Sequence, residues 1–122
     1  MNKRRGPSAI PRAAMVRGRH FSHWVEPIRT LKRRGQTDKA LVLLMECIEA
    51  TEGDQVGPFP APWYTWQAAI IFRKRRDYLA EIEILERWVN ATHGDPFEWG
   101  ASARLMFPRL ERARDLAQGM SC

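Results

Sequence analysis

One pattern of residues occurs twice in this chain: residues 24–49 read WVEPIRTLKRRGQTDKALVLLMECIE, and residues 64–89 read YTWQAAIIFRKRRDYLAEIEILERWV. Each stretch contains an apolar helical segment, a run of Arg and Lys, a polar break and a second apolar helical segment. The breaks fall at Gly35 and Arg76, 41 residues apart. A repeated helix–turn–helix unit usually cannot bury its apolar face alone, so the pattern predicts that the two units stack on each other.

The flanking sequence extends this helical architecture. Residues 53–62, GDQVGPFPAP, predict a turn-rich linker between the two units. Residues 97–118 carry apolar side chains at helical spacing, and Pro108 should kink or split that segment. No strand is predicted. We therefore predict an all-α domain over residues 21–118, in which two stacked helix–turn–helix hairpins are followed by a C-terminal capping helix.

Charge is concentrated at the N-terminal end. Residues 1–34 hold ten of the 20 Lys and Arg residues and a single acid, Glu26. Residues 1–20 also contain Gly and Pro without sustained periodicity, so they are predicted to form a flexible basic arm. The asymmetry indicates an acidic partner, which is a protein, a nucleic acid or an anionic surface, although a basic tail can also serve solubility alone.

Composition excludes several classes of protein. The chain has 122 residues, enough for one modest core, and no apolar run approaches the roughly 18 residues that a membrane span needs. Cys47 and Cys122 are too few for a disulfide framework or a closed zinc site. These features predict a cytoplasmic protein that does not bind membranes.

The sequence offers little for catalysis or for cofactor binding. It has no Gly-rich phosphate loop and no credible arrangement of a Cys nucleophile with a His base. No two carboxylates are placed together for acid–base catalysis. His20 and His23 lack a Cys or carboxylate cluster that would complete a metal site. Glu81 lies at a helix–helix seam, where an ion pair with Arg73 or Lys74 is the expected role. We predict a protein that is not an enzyme and that holds no cofactor or metal.

Several residues in each unit fall at positions that define the pattern of a known family. They are Trp24, Leu31, Gly35, Ala40, Leu44 and Cys47 in the first unit, and Ala69, Phe72, Tyr78 and Leu85 in the second. At these positions the units resemble tetratricopeptide repeats, helix–turn–helix modules of about 34 residues that stack into a curved groove. Pro27, Glu81 and Trp88 depart from the family's pattern, and the 41-residue spacing exceeds its period.

The resemblance implies a binding surface. In this family the first helix of each unit lines the inner face, which here would present basic and aromatic side chains together. An acidic peptide or partner protein would suit such a groove, because Arg binds carboxylates bidentately and Trp offers apolar area at little entropic cost. The predicted partner-binding residues are Arg29, Lys32, Arg33, Trp63, Trp66, Ile70, Arg73 and Lys74.

Two alternatives remain open. The protein is alternatively a nucleic-acid-binding accessory protein that contacts phosphates without sequence preference. The residues that would make those contacts are Lys3, Arg4, Arg5, Arg12, Arg17 and Arg19. A homo-oligomer is a further possibility, because two repeats fall short of the usual three and Trp88, Trp99 or Phe107 would favour association if exposed.

Overall fold

The computed structural model describes residues 12–54, 59–93 and 100–121, and within them the chain is almost entirely helical. The α-helices are α1 (Val25–Arg33), α2 (Thr37–Gly53), α3 (Pro62–Lys74), α4 (Tyr78–Asn90), α5 (Gly100–Arg104) and α6 (Met106–Ser121). The predicted all-α fold is confirmed. The expectation of no strand is wrong at one place: a short hairpin of strands β1 (Met15–Val16) and β2 (Arg19–His20) precedes α1, together with two 3-10 turns (Arg12–Ala14 and Phe21–Trp24).

The helices pack in chain order. The contacts join α1 to α2, α2 to α3, α3 to α4 and α4 to α6. Lys32 of α1 reaches Gln67 of α3, and Arg87 of α4 pairs with Glu52 of α2, so α1 lies beside α3 and α2 beside α4. One apolar cluster runs through the stack. Two hairpins therefore stack side by side, and α6 covers the exposed side of α4.

The two helix breaks have the same backbone geometry. In the first, the Gln36 N–H donates to Leu31 O (2.9 Å) and the Gly35 N–H to Lys32 O (3.0 Å). In the second, Asp77 donates to Phe72 O (2.9 Å) and Arg76 to Arg73 O (3.0 Å). Both are Schellman motifs, whose C′ residue takes a left-handed conformation. Gly35 has φ 73° and Arg76 has φ 58°, so the repeat inferred from the sequence also exists in the backbone.

The predicted boundary of the flexible arm differs from the structure. Residues 12–20 form the first 3-10 turn and the hairpin, which pack against α2, and Ala14 and Val16 are buried. Arg17 and Gly18 take positive φ in the two-residue hairpin turn, as a type I′ turn requires. The Trp24 indole donates to Val16 O (2.9 Å) and fastens the hairpin to the start of α1. Residues 1–11 lie outside the described residues.

Pro108 splits the C-terminal segment as predicted. Its ring cannot share space with the carbonyl of the residue four positions earlier, Arg104, and α5 ends at that residue. Helix α6 restarts at Met106, and Met106, Leu110 and Ala113 are buried against the core. The first three residues of the predicted capping segment, 97–99, lie outside the described residues.

Trp88 is one of the side chains whose exposure would have favoured a homo-oligomer. It is buried, with 2% of its surface exposed, and its indole donates to Pro60 O (3.0 Å). The tryptophan that departs from the repeat pattern is therefore used to pack α4 against the end of the linker. Phe107 is partly buried against the core, and Trp99 lies outside the described residues.

Candidate partner-binding surface

Helices α1 and α3 form a continuous surface and bring several of the predicted residues together. The Arg29 guanidinium lies 5.6 Å from the ring centroid of Trp63, and the Lys32 ammonium donates to the side-chain oxygen of Gln67. Both contacts arise because the first helices of the two hairpins are neighbours. Arg29 also pairs with Glu26 on its own helix (2.6 Å), an exposed i, i+3 contact that leaves its guanidinium at the surface.

An apolar pocket of about 360 Å³ opens between the first turn of α3 and the break that separates α5 from α6. Trp63 and Trp66, three residues apart on α3, form one wall because residues at this spacing share a helix face. Leu105, in the break, and the buried Met106 form the other wall. Leu105 is 56% exposed, a large apolar side chain at the mouth of the pocket. The remaining lining residues are Ala61 and Pro62.

Arg109 is a residue of this surface that sequence reasoning missed. Its guanidinium lies 4.9 Å from the Trp66 ring centroid, and its Nε lies 3.0 Å from Glu81 Oε2. Burial lowers the pKa of Arg109 and the positive charge of Arg73 adds to that effect, whereas Glu81 opposes both. An arginine therefore stacks on each wall tryptophan, Arg29 on Trp63 and Arg109 on Trp66. The helical stripe of α6 places Arg109 beside Leu110, but no sequence signal shows which helix it faces.

Arg73, one of the predicted partner-binding residues, forms contacts inside the helix stack. Its guanidinium lies 2.9 Å from Glu81 Oε1 and 2.8 Å from Oε2, and it donates to Arg109 O (3.0 Å). Glu81 has no exposed surface. The expected Arg73–Glu81 pair is thus present, and it holds the Arg73 guanidinium on a buried carboxylate that Arg109 also contacts, so Arg73 is less accessible to a partner than Arg29.

The remaining predicted residues lie toward the far end of the same surface. Ile70 and Lys74 line a second cleft together with Lys32, and that cleft shares no described lining residue with the tryptophan pocket. Arg33 is exposed and donates to Thr30 Oγ1 on its own helix (3.1 Å), so it lines neither cavity. The structure therefore divides the predicted groove into an aromatic end and a basic end.

Three of the six residues of the nucleic-acid alternative lie within the part of the chain that the structure describes. Lys3, Arg4 and Arg5 lie outside the described residues, whereas Arg12 and Arg19 are exposed. Arg17 forms a bidentate pair with Glu46 of α2 (3.0 and 2.7 Å), which neutralises its charge and holds the hairpin turn on that helix. One of the six cations predicted to contact phosphates, Arg17, is thus engaged by a carboxylate of the fold.

The described residues offer neither a metal-binding cluster nor a helix that could span a membrane. Among residues 12–54, 59–93 and 100–121, no group of three His, Cys, Asp or Glu side chains lies close enough to hold a metal ion. Over the same residues, no helix combines the length and the apolar character that crossing a membrane requires. Cys47 is buried, and burial raises its pKa to about 12, so its thiol stays protonated at neutral pH.

Comparison of the chain with models of protein families, with curated proteins and with solved structures finds no match. The fold and the surface described above therefore rest on the chain's own geometry, and membership of the tetratricopeptide-repeat family stays a prediction.

Proposed function

We propose that this protein is a helical interaction module that binds an acidic peptide, or an acidic segment of a partner protein, along the face formed by α1, α3 and the start of α6. The observation that carries the proposal is the apolar pocket that Trp63 and Trp66 wall on one side, with Arg29 stacked on the first tryptophan and Arg109 on the second. The resemblance to tetratricopeptide repeats favours the same face, because the first helix of each unit lines the groove in that family.

The pocket supplies affinity and the arginines supply selectivity. Burying an aliphatic or aromatic side chain fully contributes about 1.5–3 kcal/mol, and the two rigid indoles of the wall lose little entropy on binding. Trp and Arg are the residue types that most often dominate the energetics of interfaces. The guanidinium of Arg29 sits at the rim with half of its side chain exposed, where it can meet a carboxylate of the ligand.

The test begins with selection of binding peptides from a random displayed library, followed by affinity measurement on synthetic peptides. We expect selected peptides to combine Asp or Glu with one large apolar residue. Trp66→Ala should weaken binding about 30-fold, the loss that a 2 kcal/mol hot spot produces. Arg29→Glu should also weaken it, with a steeper loss for more acidic peptides.

The matched control is Lys39→Glu, which makes the same charge change at an exposed residue of α2 outside the surface. Circular dichroism and thermal unfolding verify that each variant is folded. Selected peptides without acidic residues, or affinities that Trp66→Ala and Lys39→Glu change equally, would contradict the proposal. Enrichment for nucleic acid in parallel selections, lost as salt rises, would favour the alternative function instead.

A further inference from the structure

A second cleft, of about 180 Å³, lies where the C-terminal ends of α1 and α3 meet. It is distinct from the tryptophan pocket and shares no lining residue with it. Its described lining consists of three cations, one hydroxyl side chain and two isoleucines: Lys32, Lys74, Arg75, Thr37, Ile70 and Ile71. No carboxylate is among these residues.

The repeat explains how the cations gather. Each first helix ends in a basic run just before its Schellman break, where cations complement the negative end of the helix dipole. That effect accounts for a basic residue on each helix separately. Because α1 and α3 lie side by side, it also places Lys32 and Lys74 at one cleft, where they repel each other.

The positive charge in the cleft is only partly balanced. Within the described residues, neither Lys32 nor Lys74 forms a salt bridge, and Lys32 has only the neutral amide oxygen of Gln67 as partner. Arg75 pairs with Asp38 (2.7 Å) and also donates to Thr37 Oγ1. Burial lowers the pKa of Lys32, and the charge of Lys74 lowers it further. Among the salt bridges of the described residues, one exposed carboxylate, that of Asp38, thus pairs with one of the three cations.

We propose that this cleft binds a phosphate monoester, with the ammonium groups of Lys32 and Lys74 and the guanidinium of Arg75 as its ligands. A phosphate monoester carries nearly two negative charges at neutral pH and three acceptor oxygens, which suits a cleft lined by three cationic donors. A carboxylate ligand carries only one negative charge, which would leave part of the positive charge of the two lysines unbalanced. The isoleucine walls limit the cleft to a compact group, which suits a terminal phosphate better than a continuous nucleic-acid backbone. This inference does not depend on the peptide-binding function proposed above.

The experiment is a titration of the full-length, 15N-labelled protein with inorganic phosphate, followed by NMR at constant ionic strength with chloride as the balancing anion. We expect saturable shifts of the Thr37 and Arg75 backbone amides and of the Gln67 side-chain amide, with a Kd of about 1 mM. The double variant Lys32→Met/Lys74→Met should weaken binding at least about tenfold. Lys39→Met, which removes one exposed lysine elsewhere, should leave the Kd unchanged.

Two further ligands distinguish the source of the phosphate. A capped tripeptide with a central phosphoserine carries the phosphate on a peptide, and glycerol phosphate carries it on a small molecule. Saturable binding of either ligand that is tighter than the binding of inorganic phosphate supports the site and indicates the natural carrier of the phosphate. Shifts that never saturate, or that the double variant retains, would overturn the proposal because they describe diffuse counterion binding. An oligonucleotide without terminal phosphate that shifts the same amides more tightly than phosphate would also overturn it, in favour of a nucleic-acid contact.

Discussion

Glu81 and Arg109 join α4 to α6 through a 3.0 Å contact between Glu81 Oε2 and Arg109 Nε, at a carboxylate with no exposed surface. Arg73 approaches the same carboxylate from α3. The carboxylate therefore sits between two guanidinium groups, and one of these, that of Arg109, also stacks on Trp66. The interior ion cluster and the proposed peptide pocket are thus connected, because Arg109 contacts the buried carboxylate and also stacks on a tryptophan of the pocket wall.

Replacing Glu81 by Gln should destabilise the protein strongly. The substitution keeps the side chain's shape and removes its charge, which leaves Arg73 and Arg109 largely buried without a counter-charge. Removing one partner of a buried pair typically costs about 3–5 kcal/mol. Chemical denaturation measures the loss, and Glu83→Gln, at an exposed position of the same helix, should change stability by less than about 0.5 kcal/mol. Equal stability of the two variants would contradict the cluster.

Gly35 and Arg76 should respond in opposite directions to substitution, although they occupy the same position in the repeat. Nothing lies within 4 Å of a Cβ built on Gly35, so Gly35→Ala costs only the left-handed backbone, about 1 kcal/mol. Arg76 already bears that strain, and Arg76→Gly should raise the free energy of unfolding by up to about 1 kcal/mol. A stability loss at both positions in thermal unfolding would show that the Arg76 side chain contributes more than its backbone costs.

Cys47 should resist thiol reagents in the folded protein. Burial is the main cause that raises its pKa to about 12, Glu46 adds to the effect, and Arg17 opposes it. In a Cys122→Ser variant, labelling at pH 8 should be slower than in denaturant by at least about a thousandfold, since it requires opening of the fold. The same shift predicts that stability falls as pH rises above 9, because the unfolded thiol ionises there and the native one does not. Labelling at the rate of a free thiol would contradict the buried position.

Lys32 should make stability depend on pH in the opposite sense. The pKa of Lys32 in the fold lies below 10.5, so the folded state disfavours the charged form of this lysine. The resulting loss of folding free energy is largest at pH values below the lowered pKa. As pH rises toward 10.5 the native lysine loses its proton first and the cost is relieved. Lys32→Met should therefore gain stability relative to wild type at pH 7 and lose that gain in alkaline solution. Lys39→Met serves as the control and should show no such pH-dependent difference.

Sequence reasoning succeeded where the determinants are local. The helix breaks at Gly35 and Arg76 and the split before Pro108 depend on residues a few positions apart. The Arg73–Glu81 pair spans one helix hairpin, and its partners could be inferred for the same reason. The stacking of the hairpins followed from the repeat.

The parts that the sequence did not predict depend on docking between distant segments. Arg109 meets Trp66 and Glu81 only because α6 packs on α4 in one particular rotation, which helical spacing alone leaves open. Residues 12–20 look like a basic tail, and their order depends on Ala14 and Val16 reaching α2. Two small apolar side chains among several arginines are too weak a pattern to predict that contact.

The packing of each helix against its neighbour in the chain has a consequence for the rate of folding. Because α1 contacts α2, α2 contacts α3 and α3 contacts α4, most native contacts close short loops, which costs little conformational entropy. These contacts can form before any distant pairing is made. Folding can begin in either hairpin and spread along the array, as in other proteins whose units contact only adjacent units. The chain is therefore suited to fold quickly, and its terminal elements are the ones expected to open first.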